Sequence, residues 1–346
     1  MQAVEWRAPH ELVVVQRPEP EAADGQLVVE VANCGICGSD LHSYNKGFAA
    51  VPGQVLGHEF CGVVLQAPGV EGVAVGDRVT VRPLTPCGHC DRCLAGDVHL
   101  CESSVADNIG YGSPGAFAER VLVPRATLGE TVFVLPEAVD DRAGALIEPL
   151  AVSLRAVRIA DAQADDVVLV LGGGMIGLGV VRFLKLRGAG TIVLSDPSPL
   201  RRERALALGA DVVIDPLVQD TTQEMRALTG PGGMGLGARV DVVIDCAGVA
   251  AAFKDALKCV RHGGTVVLTA MYGQRIELVP DRIVEKELSV RGSFAYKDEF
   301  PLVIAALANG SVQAEPFISH HFPLDQTPEA FLAQLDRESS LKVLVG

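Results

Sequence analysis

The 346-residue chain has no long run of Lys and Arg, no long apolar run and no internal repeat or low-complexity stretch. Each absence removes a class of function. A formal charge of −14 with no run of Lys and Arg to offset it repels phosphate backbones, so neither nucleic acid nor an anionic membrane surface is expected as a partner. The longest uncharged apolar stretch, Val167 to Val181, is shorter than the ~18 residues a membrane span needs, and glycines interrupt it. The opening MQAVEWRAPHELVVV lacks a basic region followed by an apolar one, which predicts no secretory signal and a cytoplasmic protein.

What remains is an ordinary globular composition, with 49% hydrophobic and 21% charged residues. The length suits two domains, since one domain usually spans ~100 to 200 residues. Nine cysteines in a chain expected to stay in a reducing compartment point to metal binding before a disulfide framework.

From about Gln26 to Val123 short β-rich runs (LVVEVA, CGVVLQA, DRVTVRP, FAERVLVP) alternate with Gly and Pro, which predicts a small β-barrel-like domain with little helix. From about Asp165 the rhythm becomes βαβ: VVLVL, IGLGVVRFLKLRG, TIVLSD, PLRRERALALGAD and VVID. Further strands at Val240 to Ile244, Gly264 to Thr269 and Leu288 to Arg291 bring the total to six, for a doubly wound parallel sheet of the α/β class. In the tail, FPLVIAALANG reads as an amphipathic helix and VQAEPFISHHFPL as strand-like, with part of it returning to the first domain. The expected division is residues 1–150 with 293–346, carrying a lobe at 86–102, and a dinucleotide-binding domain at 151–292.

The turn Gly172-Gly-Gly174-Met-Ile176-Gly177 follows a predicted strand and opens a predicted helix. There Gly172 allows the tight turn, Gly174 admits pyrophosphate to the backbone, and Gly177 lets helix and strand pack closely. The helix N-terminus, with Ile176 in its first turn, offers N–H groups to the anion. Asp196, 24 residues after Gly172, suits the carboxylate that binds the adenosine ribose hydroxyls and repels a 2′-phosphate, so NAD is expected. Asp196 could instead cap the following helix. Arg201 could flank the ribose or be a solvated helix residue, and with Arg202 and Arg204 it keeps NADP in view.

Cys87, Cys90, Cys93 and Cys101 read C-x2-C-x2-C-x7-C within a Pro- and Gly-punctuated loop. That spacing lets four thiolates converge on one tetrahedral Zn²⁺, which leaves no open position and makes the site structural. An iron–sulfur cluster, intrusion of His89 or Asp91, and a disulfide pair are the alternatives. Cys34, Cys61, Cys246 and Cys259 sit in apolar contexts and read as core residues.

Gly35-Ile-Cys-Gly-Ser-Asp-Leu-His42 and Gly57-His-Glu59 bring a thiol, a hydroxyl, two carboxylates and two imidazoles into two short segments. Beside a separate nucleotide fold, they suggest an open metal site. Taken alone, His58 would be a satisfied structural histidine and Cys37 a small core residue.

The segments GICGSDLH and GHEFCGVV, the four-cysteine lobe, Glu148-Pro149, GGGMIGLG and Asp196 occur in an order that resembles the zinc-containing medium-chain dehydrogenases over nearly the whole chain. The likeness is to the branch with sorbitol (polyol), L-threonine and butanediol dehydrogenases. It implies a GroES-like catalytic domain beside a Rossmann domain, a homodimer or homotetramer, and two zinc ions per chain. Carried over by residue, Cys37, His58 and Glu59 hold the catalytic zinc, Ser39 starts a proton relay and His42 passes the proton to solvent. Asp40 would orient a ligand. Glu148 matches a family glutamate that reaches the zinc in some states and supports the relay in others.

The implied reaction is reversible hydride transfer between a secondary alcohol (polyol, diol, cyclitol or amino alcohol) and NAD. The alternatives are a zinc-independent quinone or enoyl reductase and a non-catalytic NAD-binding protein of the same fold. Relatives acting on polyols often carry Arg-Tyr where this chain reads Gly292-Ser-Phe-Ala-Tyr296, which counts against a sorbitol-like substrate. Met175 stands where a small residue or Pro is common, and Phe117 reads equally as pocket wall or core.

Overall fold

The computed structural model describes every residue except Ala49 and Ser104. The chain divides into two compact units, residues 1–148 with 296–346, and residues 149–295.

The first unit is built on β1 (Leu27–Gly35), whose Leu27, Val28 and Val29 are buried while Glu30 faces out. β1 pairs antiparallel with β2 (Glu59–Gln66) along its length and, at Cys34 and Gly35, with the C-terminal strand Lys342–Val345. The strands Ile318–Phe322, Arg78–Val81, Val132–Val134 and Arg120–Val123 complete a seven-stranded sheet, and a three-stranded sheet holds Gln2–Ala8, Glu11–Gln16 and Gln54–Val55. Between them lies a core with Ile36, Phe60, Phe117 and Phe331, all essentially out of water. Burying each phenylalanine contributes about 2 to 3 kcal/mol. Phe117 packs edge-on against Phe331 at 5.4 Å, so it is a core residue.

Helix is sparse in this region, as the sequence leads one to expect, but one helix falls at the segment that matters most. Between β1 and β2 the chain forms α1 (Gly38–Lys46). Cys37 is its N-cap, the Asp40 carboxylate accepts from the Cys37 N–H at 2.9 Å, and Gly47 closes the helix at φ +67°. Caps at both ends hold nine residues helical although Gly38, Ser39 and Asp40 are weak helix formers.

The second unit is a six-stranded sheet in which every neighbouring pair is parallel. β3 (Val167–Leu171) is central, with α2 (Met175–Arg187) leaving its C-terminal end. β4 (Thr191–Ser195) and Val212–Ile214 extend one side, and β5 (Val240–Asp245), Val260–Leu268 and β6 (Ser289–Gly292) the other. The order reverses at β3, as in the doubly wound class the βαβ rhythm predicts. Ligands of such sheets bind beyond the carboxyl ends of the strands, where Gly172 and Asp196 lie.

Candidate active site

The Cys37, His58 and Glu59 ligand atoms all lie within 4.8 Å of one another. Local structure explains the convergence. Cys37 caps α1, and Glu59 opens β2, where it pairs with Gly35 at the end of β1. Asp40 ties the two segments together: one carboxylate oxygen accepts from Cys37 N, and the other accepts from Gly57 N at 3.3 Å and lies 3.6 Å from His58 Nδ1. His58 Nδ1 is buried and makes no direct hydrogen bond. A carboxylate facing one nitrogen of an imidazole orients it as a ligand. A thiol, an imidazole and a carboxylate within reach of one point form a donor set that suits Zn²⁺ with one coordination position left over.

Sequence reasoning missed Lys342. Its ammonium donates to Glu59 Oε2 at 2.5 Å and to the Ile36 carbonyl at 2.8 Å, with 3% of Lys342 and 1% of Glu59 exposed. The pair takes one Glu59 oxygen and leaves the other for a metal. A signal was present in the sequence, because a single lysine inside the apolar run LKVLV must be paired if the strand is buried.

Ser39 and His42 lie three residues apart on α1, which puts them on one face. Ser39 Oγ accepts a hydrogen bond from the Tyr111 hydroxyl at 2.9 Å, and the Tyr111 ring lies 5.1 Å from that of His58. Tyr111 is a second residue the sequence did not single out. Partial burial, aided by the nearby Lys46 charge, lowers the His42 pKa, so its imidazole is neutral and able to take a proton near pH 7.

Glu148 stands outside the three-residue cluster but within its field. Burial pushes its carboxyl up to about 7, with His58 and Lys342 opposing the rise and Glu59 adding to it. The Tyr296 hydroxyl is fully buried beside Glu148 without a direct hydrogen bond. The Arg82 guanidinium lies 6.0 Å from the Tyr296 ring and donates to the Lys297 carbonyl.

The four thiols of the lobe also converge within 4.8 Å. Cys87 and Cys93 sulfurs are 3.9 Å apart, as are those of Cys90 and Cys101. Four sulfurs at ~2.3 Å around a tetrahedral zinc sit about 3.8 Å apart, so the thiols are already spaced for the ion. A disulfide needs about 2.05 Å, and all nine cysteines are free. The backbone N–H groups of His89 and Cys90 pull the Cys87 thiol down to about 6. His89 turns its ring to the Cys87 carbonyl at 2.9 Å, and exposed Asp91 starts a short helix, so neither belongs to the cluster.

In the second unit the glycines of the turn have separate surroundings. Gly172 has φ +92°, and a Cβ there would lie 2.9 Å from Ala247 N. A Cβ on Gly177 would strike the Gly172 carbonyl at 1.8 Å, whereas one on Gly174 would meet nothing within 4 Å. Tight turn, close helix and open approach are the features a pyrophosphate requires, and Gly174 caps α2, whose first turn holds Met175, Ile176 and Gly177. Met175 is buried. Asp196, at the end of β4, accepts from Gly173 N at 2.7 Å and from Ser198 N at 2.8 Å, so one carboxylate braces both the glycine turn and the start of the next helix. The Arg201 guanidinium lies 3.9 Å from Asp196, and Arg202 binds the Asp196 and Pro197 carbonyls and pairs with Asp215.

Three convergent donors in one unit and a glycine turn on a doubly wound sheet in the other are what a zinc-dependent dehydrogenase requires. Comparison with known proteins agrees. Residues 23–134 match the alcohol dehydrogenase GroES-like domain family, and residues 175–309 the zinc-binding dehydrogenase family. The (R,R)-butanediol dehydrogenase of Bacillus subtilis (strain 168) is 32% identical over 100% of this chain and 99% of its own length. A protein of Sinorhizobium meliloti 1021, solved bound to NADP and described as a zinc-binding dehydrogenase, is 37% identical with a TM-score of 0.89, over 99% of this chain and 98% of that one. The rspB protein of Escherichia coli CFT073, described as a short chain alcohol dehydrogenase and solved with NADH, is 32% identical with a TM-score of 0.89, over 100% and 98%. The chain belongs to the zinc-binding dehydrogenase family. It is an oxidoreductase that moves a hydride between an alcohol and a nicotinamide dinucleotide.

Proposed function

We propose that the enzyme oxidises a secondary alcohol with NAD, using Cys37, His58 and Glu59 as ligands of a catalytic zinc. The observation that carries this reading is the convergence of those three donors within 4.8 Å, beside the Ser39 hydroxyl on the same helix as Cys37. When bound, zinc acts as a Lewis acid on the alcohol oxygen and the nicotinamide ring accepts the hydride. The chain supplies the rest. Ser39 receives the hydroxyl proton, and His42, kept neutral by its surroundings, passes it to solvent. Asp40 and Lys342 hold the ligands from behind, and Glu148, whose carboxyl burial pushes up, serves as an alternative ligand or proton store.

The lobe thiols would hold a second, structural zinc, giving two ions per chain, and the S···S spacing supports that assignment. Gly172, Gly174, Ile176 and Gly177 would cradle the pyrophosphate, with Asp196 and Arg201 at the ribose. A buried carboxylate there disfavours a 2′-phosphate and supports NAD. The catalytic chemistry falls to the first unit and the dinucleotide to the second. Free thiol clusters suit a reducing compartment, which supports a cytoplasmic enzyme. No helix among the described residues is long and apolar enough to cross a membrane.

The edge strand β6 has all four residues exposed, Val290 among them, and Val284 and Phe294 on either side of it in the chain are exposed as well. An open edge of this kind favours pairing with a second copy, so we assign a homodimer as the basic assembly, alone or within a tetramer.

The alcohol belongs to the polyols, vicinal diols, cyclitols or amino alcohols. An NAD-reduction screen over these four classes, with a zinc count, tests the proposal. Two zincs per chain and turnover with one class are expected; zinc-free protein, or no NAD reduction by any class, would refute it.

A further inference from the structure

We propose that Tyr111 is a positioning residue of the proton path, whose hydroxyl fixes the Ser39 hydroxyl in the orientation that receives the alcohol proton. This rests on the reading of Ser39 as the first proton acceptor. A serine hydroxyl has one proton to give and two lone pairs to accept with. A phenol with an ordinary pKa near 10 is protonated at neutral pH, so Tyr111 donates to Ser39 Oγ across their 2.9 Å contact. One lone pair of Ser39 is thereby filled. The other stays open to the alcohol, and the serine's own proton is left to travel onward. Without that donor the Ser39 hydroxyl is free to turn about its own bond, and its open lone pair is no longer aimed at the alcohol.

The loop that carries Tyr111 is held for this purpose. Gly110 has φ +83°, and a Cβ there would come within 2.7 Å of the Gly57 carbonyl, next to His58. A Cβ on Gly112 would strike the Val105 carbonyl at 2.1 Å. The Tyr111 N–H bonds to the Asn108 carbonyl at 3.1 Å, and its ring rests tilted on His58. Tyr111 is therefore pinned between two glycines against the segment bearing a metal-ligand candidate, and its hydroxyl reaches the helix bearing Ser39.

A double-mutant cycle tests the role, run on the zinc-loaded enzyme with the alcohol that turns over fastest in the four-class screen. Tyr111→Phe keeps the ring against His58 and removes only the hydroxyl. It is expected to lower kcat about tenfold, the scale of one lost hydrogen bond in the transition state, with zinc content and KM for NAD unchanged. The solvent deuterium isotope effect on kcat should rise, a change that ring packing alone would not cause. Ser39→Ala should lose about a hundredfold, and the double variant should be no slower than Ser39→Ala alone. Tyr111→Phe at the wild-type rate, or losses that multiply in the double variant, would overturn the Tyr111 role while leaving the Ser39 role intact. Ser39→Ala at the wild-type rate would overturn the relay itself, and the Tyr111 role with it.

Discussion

Lys342 Nζ sits 2.5 Å from Glu59 Oε2, and the two side chains are almost wholly buried together. Charges in that position are stabilising only while both are present, because an unpaired buried charge costs about 3 to 5 kcal/mol. Lys342→Met should therefore lower unfolding stability by about 3 kcal/mol and weaken zinc retention, whereas Lys342→Arg should keep most of both. Denaturant unfolding and zinc analysis of the two variants check this.

Glu148 gives the zinc-free chain a pH dependence of known sign. Its carboxyl has a folded pKa of about 7 against an ordinary 4.5, so the folded state keeps a proton that the unfolded chain releases. The stability this contributes is complete below pH 4.5 and is lost as pH rises through 7, up to about 3 kcal/mol in all. Glu148→Gln should remove that slope. Unfolding curves of chelator-treated wild type and variant at pH 5 and pH 8 measure it, and equal slopes would show that Glu148 does not titrate in this range.

Asp196 should decide between the two dinucleotides. Asp196→Asn removes the negative charge and keeps an acceptor for only one of the Gly173 and Ser198 N–H groups. The ratio of kcat/KM for NAD over NADP should be high in the wild type and fall at least about tenfold in the variant, the size of one charge-assisted contact. A wild-type ratio below one would reverse the NAD assignment.

The lobe should behave as an independent structural unit. Cys93→Ser breaks the four-thiol set, so it should remove one zinc of two and lower the melting temperature on the order of 5 °C. NAD reduction per intact catalytic zinc should persist. Loss of both ions would show that the two sites are not separate.

Much of this architecture was legible because its signals are local. The glycine turn after β3 and the carboxylate ending β4 lie within one βαβ stretch, and the four lobe cysteines lie within 15 residues. α1 was not legible, since Gly38, Ser39 and Asp40 are weak helix formers, and only the caps at Cys37 and Gly47 make the segment helical. Lys342 and Tyr111 were hidden for another reason. Their partners stand 283 and 72 positions away, so the pairings exist only once β1 has joined the C-terminal strand and the Tyr111 loop has closed on α1. Spacing named the lobe cysteines, the family resemblance named Cys37, His58 and Glu59, and the fold disclosed what holds them.

The central claim is that Cys37, His58 and Glu59 bind the zinc on which turnover depends. Zinc content and NAD reduction of Cys37→Ala, measured on the same preparation, test it most directly. The account predicts two zincs per chain in the wild type, one in the variant, and no detectable turnover once that ion is gone. A Cys37→Ala enzyme with two zincs and full activity would contradict it.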